Sequence, residues 1–171
     1  MANLIVIRNE YRDDDAVRHV VDYILQHTVA WDGYGLSPNY PMICMQGLKR
    51  AWHKDSGLRL NHYIFSLSPQ EENSITIDDL LSFGAVFSKN LMEFQTVYAV
   101  HANSHHLHLH VVMNTVSFLS GHKYSGGLIP LYQFRDYLRN HYPRFRHQIY
   151  YSYPNTVNEF NEEDCELLEI D

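Results

Sequence analysis

Cysteine is scarce: the 171-residue chain has two, Cys44 and Cys165, which supply no disulfide framework and lack the paired spacing of a zinc ribbon. A reducing, cytoplasmic setting is the expectation. Long apolar runs are missing as well. LIVI at 4–7 is four residues long, and nothing later approaches the roughly 20 apolar residues of a membrane span, so neither export nor membrane insertion is expected. Repeats and low-complexity stretches are absent, and 171 residues leave little room beyond one domain. Excess positive charge is also lacking. The chain has 13 basic and 20 acidic residues, for a net charge of -7. Seven of the acids fall in VNEFNEEDCELLEID at 157–171, so the body is neutral and the acidity sits at one end.

What the chain does have is histidine. There are 12, and five of them, His101, His105, His106, His108 and His110, lie within ten positions. The surrounding pattern sets them on strands. TVYAVH at 96–101 and HLHLHVVMNTV at 106–116 flank the short turn ANSH. Side chains alternate along a strand, so His106, His108, His110, Val112 and Asn114 share one face, while Leu107, Leu109, Val111 and Met113 share the other. The neighbouring strand returns His101 toward that imidazole face. Two strands can then gather three imidazoles about one divalent cation, an all-nitrogen set that suits Zn, Mn, Ni or Cu better than Mg.

The remaining elements read as β-α-β-α-β-β-α. LIVI at 4–7 is a first strand. A helix follows from about 15 to 27, with Val17, Val20, Val21 and Ile24 at helical spacing. Residues 28–41, polar and rich in Gly and Pro, read as a loop. HYIFSLSP at 62–69 reads as a buried strand. Thr76 or Asp78 caps a helix to about Phe94 that buries Ile77, Leu80, Leu81, Ala85, Phe87 and Leu91. Pro130 opens a helix that stops before Pro143, and QIYYSY at 148–153 is a last strand. The expected fold is α+β, an antiparallel sheet flanked by helices with a histidine-bearing central hairpin. The expected division is a domain at 1–154 and a flexible acidic tail at 155–171.

Basic residues cluster in two places. Lys49, Arg50, Lys54 and Arg59 accompany Trp52, while Lys123, Arg135 and Arg139 accompany Tyr124 within a Tyr-rich stretch that holds one acid, Asp136. Cations interleaved with aromatic rings suit a phosphate backbone and stacked bases.

Two families share the histidine pattern. HLHLHVV at 106–112 resembles the alternating signature of histidine-triad nucleotide hydrolases over seven residues. A wider stretch, VYAVHANSHHLHLHVVMNTV at 97–116, resembles the third motif of the relaxase/mobilisation nucleases, HUH-type endonucleases that nick one DNA strand. VVDYILQ at 20–26 resembles their first motif, and LNHYIFSLSP at 60–69 the strand of their second.

The relaxase resemblance implies an HUH-endonuclease-like fold and a divalent ion, Mn2+, Mg2+ or Zn2+, on His101, His108 and His110. It further implies Tyr23 as the nucleophile that becomes joined to the 5′-phosphate, with Asn114 and Ser66 in support. Asn103 stands where the family has Asp, and an amide accepts no proton; His106 is then the candidate base. The implied partners are single-stranded DNA at a transfer origin, with accessory DNA-binding and secretion-coupling proteins, since the chain has no room for a fused helicase. Three other readings stay open. One is a single-tyrosine transposase using Tyr132, Tyr137 or Tyr142; the others are a nucleotide hydrolase and an inactive metal-containing module that binds single strands.

Overall fold

The computed structural model describes residues 3–7, 11–102, 107–127, 129–141, 148–152 and 165–168. Seven strands form one sheet in the order β2-β4-β5-β3-β1-β6-β7. These are β1 (Asn3–Ile7), β2 (Thr28–Tyr34), β3 (Leu60–Ser66), β4 (Phe94–His101), β5 (His108–Ser117), β6 (Gln148–Ser152) and β7 (Cys165–Leu168). The first five in that order pair antiparallel throughout; β6 runs parallel to β1 and antiparallel to β7. The antiparallel sheet flanked by helices matches the fold class read from the sequence. β7 lies within the acidic C-terminal segment.

Alternation along the strands divides the molecule into two layers. Tyr63, Phe65, Leu109, Val111 and Met113 face helices α4 (Ile77–Asn90) and α5 (Ile129–His141), meeting Phe83, Phe87, Leu131 and Phe134. On the other face, Leu60, Val97, Ala99 and Val112 meet Val17, Val20, Val21 and Ile24 of α1 (Ala16–Gln26) and Met45 of α2 (Pro41–Ala51). The histidines of β5 lie on this second face. It is a covered surface, closed by the valine stripe of α1. Burying these stripes is what holds the helices on the sheet, at roughly 25 cal/mol per Å2 of apolar area. A short helix, α3 (Pro69–Glu72), follows β3 and carries a Ser68–Glu71 capping box.

Three expectations need correction. Residues 28–41 are not a loop: they contain β2, and Pro41 begins α2. As an edge strand, β2 is half exposed and has a register shift between Thr28 and Ala30, so its apolar alternation is broken. Pro41 occupies the first turn of α2, where a missing N–H does no harm, and Pro41, Met45 and Lys49 form its buried stripe. The α4 helix ends at Asn90, and Phe94 belongs to β4, because Met92 takes φ 55 and turns the chain. Ile77, in the first turn of α4, is exposed.

Candidate metal and tyrosine centre

Strand register places the histidines. His101 ends β4 and is the cross-strand partner of His108, which begins β5; His110 lies opposite Ala99, two residues further along the same face. The rings pack at centroid separations of 4.4 Å for His101–His110, 4.9 Å for His108–His110 and 5.3 Å for His101–His108. One nitrogen from each lies within 4.8 Å of the others. His101 is 1% and His110 2% exposed, and His108 is half-buried at the mouth.

Each buried ring is already oriented. The Nε2–H of His101 donates to the Ile24 carbonyl at 2.7 Å, one of the carbonyls left open at the end of α1. That leaves Nδ1 as its lone pair. In His110, Nδ1 is 2.8 Å from His62 Nε2, while Nε2 is buried with no hydrogen-bond partner. Burial pushes His62 down to about 3, with His101 and His108 adding to the effect. Burial likewise pushes His110 well below its ordinary value and lowers His101. These rings are therefore neutral near pH 7, the form that ligates a cation. The donor set fits a divalent metal, since three imidazoles converge and one presents a buried nitrogen with no hydrogen-bond partner.

Tyr23 stands beside this triad. It precedes Ile24 on α1, so the bond from His101 to Ile24 also anchors the turn that carries it. Its ring lies edge-on to His101 at 6.0 Å and to His110 at 5.8 Å. Partial burial raises the pKa of its phenol above 10. Tyr132 and Tyr137 of α5 pack against the opposite face of the sheet, away from the histidines. Tyr40 is exposed on a loop, and Tyr142 lies outside the described residues.

The other expected residues divide. Asn103 and His106 lie outside the described residues. Ser66 is the cross-strand partner of His108 and shares its face. Asn114 sits further along β5, fully buried; its amide donates to the Met45 carbonyl at 3.1 Å and Gln95 Oε1 at 3.0 Å. It joins α2 to the sheet and does not reach the triad.

Lys49 was expected on a DNA-facing surface. It is instead 3% exposed, donating to Asn114 Oδ1 at 2.5 Å and Thr115 Oγ1 at 3.1 Å. Around it, Arg50, Lys54 and Trp52 remain exposed. The tertiary fold adds Lys123, whose ammonium donates to the Ser56 carbonyl and feels the charges of Arg59 and Lys54. Arg59 pairs with Asp14. Arg135 and Arg139 lie on α5, across the sheet from this group. Tyr124 packs on Phe94, and its hydroxyl donates to the Gly127 carbonyl.

Burial pulls Lys49 down to about 7, helped by Lys123 and Arg59 and opposed by Asp55. In the unfolded chain it titrates at its ordinary value of 10.5. Between these values the unfolded state holds the extra proton, so stability rises with pH across that window. The shift corresponds to roughly 5 kcal/mol at about 1.4 kcal/mol per unit. Denaturant titrations from pH 7 to 10 are expected to show wild type gaining stability relative to Lys49→Met; a constant difference contradicts the lowered pKa of Lys49.

His62 was not anticipated as part of the site. It sits in an apolar strand, but Leu60, Ile64 and Ser66 share its face, and Ile64 lies opposite His110. The available signal was its phase in that alternation.

Among the described residues, no helix is long and apolar enough to cross a membrane. A search of curated proteins finds no match for the chain. A family model described as Relaxase: MobA/VirD2-like, nuclease domain matches residues 23–141, from Tyr23 through β2, the histidine hairpin and the end of α5. With the matched span covering more than half of the sequence and containing the whole triad, the chain belongs to the relaxase family of DNA-nicking mobilisation nucleases.

Proposed function

We propose that this chain cuts one strand of DNA at a transfer origin by transesterification, with Tyr23 as nucleophile, and reseals it by the reverse step. The observation that carries this is the edge-on seat of Tyr23 against His101 and His110. The phenol oxygen attacks the scissile phosphorus and forms a new P–O bond. The P–O3′ bond breaks, the 3′ oxygen takes up a proton, and the 5′-phosphate stays on the tyrosine. Cleavage conserves a phosphoester bond, so religation needs no outside energy source.

The difficulty is the phenol proton. At pH 7 an ordinary tyrosine costs about 4 kcal/mol to ionise, and the burial of Tyr23 adds to that. His101, His108 and His110 would hold a divalent ion, Mn2+, Mg2+ or Zn2+, which supplies positive potential and polarises the phosphate when bound. His106, which in sequence precedes β5, is the proposed acceptor of the proton. The bond from His101 to Ile24 anchors the turn of α1 that carries the tyrosine, which favours a fixed position for the attacking group.

DNA binding is assigned to Arg50, Lys54, Arg59 and Lys123, with Trp52 as a stacking surface, 41% exposed. Arg135 and Arg139 form a separate basic patch on the other face. With few cations in each group, accessory DNA-binding proteins would supply part of the grip, and secretion-coupling proteins would act on the covalent product. The α5 tyrosines of the transposase reading lie on the wrong face of the sheet for the triad.

The test is cleavage of single-stranded oligonucleotides, tiled across the intergenic DNA beside the gene, with Mn2+ and with chelator. Metal-dependent nicks with free 3′-OH ends are expected; hydrolysis of a nucleoside phosphoramidate in their place would favour the nucleotide hydrolase. Anisotropy titrations should show Lys54→Ala with Lys123→Ala lowering the salt slope of binding by about 1.4, at roughly 0.7 per single-strand phosphate contact. An unchanged slope removes these two residues from the interface.

A further inference from the structure

The nicking step described above makes no use of His62 or Tyr11, yet both are buried beside the triad. His62 Nε2 lies 2.8 Å from His110 Nδ1, and its own Nδ1 lies 3.3 Å from the Tyr11 hydroxyl oxygen. A neutral imidazole has one N–H and one lone pair, so each of these contacts fixes a proton position. Two assignments exist.

In the first, His62 donates from Nε2 to His110 Nδ1. The proton of His110 must then sit on Nε2, which is buried and has no acceptor. That assignment strands a desolvated donor. In the second, His110 carries its proton on Nδ1 and donates to His62 Nε2. The lone pair of His110 Nε2 is then left open in a ring that packs 4.4 Å from His101 and 4.9 Å from His108, centroid to centroid. His62 holds its proton on Nδ1 and donates to the Tyr11 oxygen. The second assignment puts a lone pair on His110 Nε2 in place of a stranded N–H, and it gives His110 the one tautomer able to ligate a cation through Nε2.

We propose that His62, backed by Tyr11, is a positioning residue that locks His110 as the Nδ1–H tautomer and aims its Nε2 at the cation shared with His101 and His108. The inference rests on the metal centre in the function proposed above. His101 is oriented in the same manner by the Ile24 carbonyl, so both deeply buried ligands have a fixed outer partner. The strand register gives His62 this reach, because Ile64 lies opposite His110 and His62 precedes it by one alternation on the same face.

The test is titration of the full chain with Co2+, followed through its visible absorption, for wild type, His62→Phe and His62→Gln, with thermal unfolding of each metal-free protein alongside. His62→Phe keeps a ring but removes the acceptor, and should weaken Co2+ binding 10–100-fold. His62→Gln restores an acceptor oxygen and should recover most of that loss. A purely structural role would not be rescued by glutamine, and Co2+ binding by His62→Phe at wild-type strength overturns the inference. Should the phenylalanine variant not fold, 15N NMR of the zinc-loaded wild type decides: His110 protonated on Nδ1 supports the assignment, and protonation on Nε2 overturns it. A wild-type chain that takes up no Co2+ overturns the metal centre and this inference together. The readout is metal affinity, so a chain that binds Co2+ but cuts no DNA fails the nicking reading and leaves the positioning role intact.

Discussion

Tyr23→Phe is expected to lower strand cleavage by at least about 10^3-fold while leaving DNA affinity and folding unchanged. Removing an attacking group has cost other enzymes up to about 10^6-fold, because the remaining contacts bind the substrate but offer nothing to displace the leaving oxygen. The hydroxyl is the only atom deleted, and the ring keeps its packing beside His101 and His110. Stability should therefore stay within about 1 kcal/mol. Tyr137→Phe is the matched control. That ring stacks on His141 at 4.4 Å, on the far side of the sheet, and its loss should leave cleavage intact. Full nicking by Tyr23→Phe together with an inactive Tyr137→Phe would reverse the choice of nucleophile and favour the transposase-like order.

His108→Ala is the second substitution with a large expected effect. His108 is half-buried at the mouth of the triad, so truncation opens little cavity, and the metal-free protein should unfold within a few degrees of wild type. Removing one of three ligands should cost at least about 10^2-fold in metal affinity, since losing an outer partner alone costs 10–100-fold. Cleavage should fall in parallel, and added Mn2+ should restore it only in part. Isothermal titration of the metal beside a gel assay separates the two effects. Unaltered metal affinity would contradict the ligand set. His110→Ala is less clean, because it also strips His62 of its partner inside the core.

The parts of this fold that could be read from sequence are those in which one physical signal acts alone. The valines of α1 recur at helical spacing, and the β5 strand separates imidazoles from aliphatics by simple alternation, so both were placed with the correct buried face. β2 escaped because an edge strand need bury only part of itself, and Asp32 and Gly33 interrupt its pattern. Lys49 misled for a related reason. A lysine beside Arg50 reads as surface charge, whereas the fold pairs it with Asn114 and Thr115 beneath α2. Its position four residues after Met45 was the available sign of burial. His62 was obscured by the apolar strand around it. Only the pairing of β3 with β5 turns its alternation phase into a contact with His110.

The centre also shows how one face of a sheet can hold opposed requirements. Neutral, buried imidazoles are ready to ligate, yet the same burial makes the Tyr23 proton harder to remove. In the proposed reaction Tyr23 gains positional order at the expense of reactivity, and a divalent ion on the triad would reconcile the two. That view makes the metal essential to cleavage, while DNA binding through the Lys54 and Lys123 group proceeds without it.

The most direct measurement is the identity of the residue that becomes joined to DNA. The purified chain is incubated with Mn2+ and the oligonucleotide it cuts, denatured, digested with protease and nuclease, and the nucleotide-bearing peptide is sequenced by mass spectrometry. A 5′-phosphate ester on Tyr23, absent with chelator and absent in His108→Ala, is the predicted result. An adduct on Tyr132 or Tyr137, or cleavage that leaves no covalent intermediate on any tyrosine, would contradict the account.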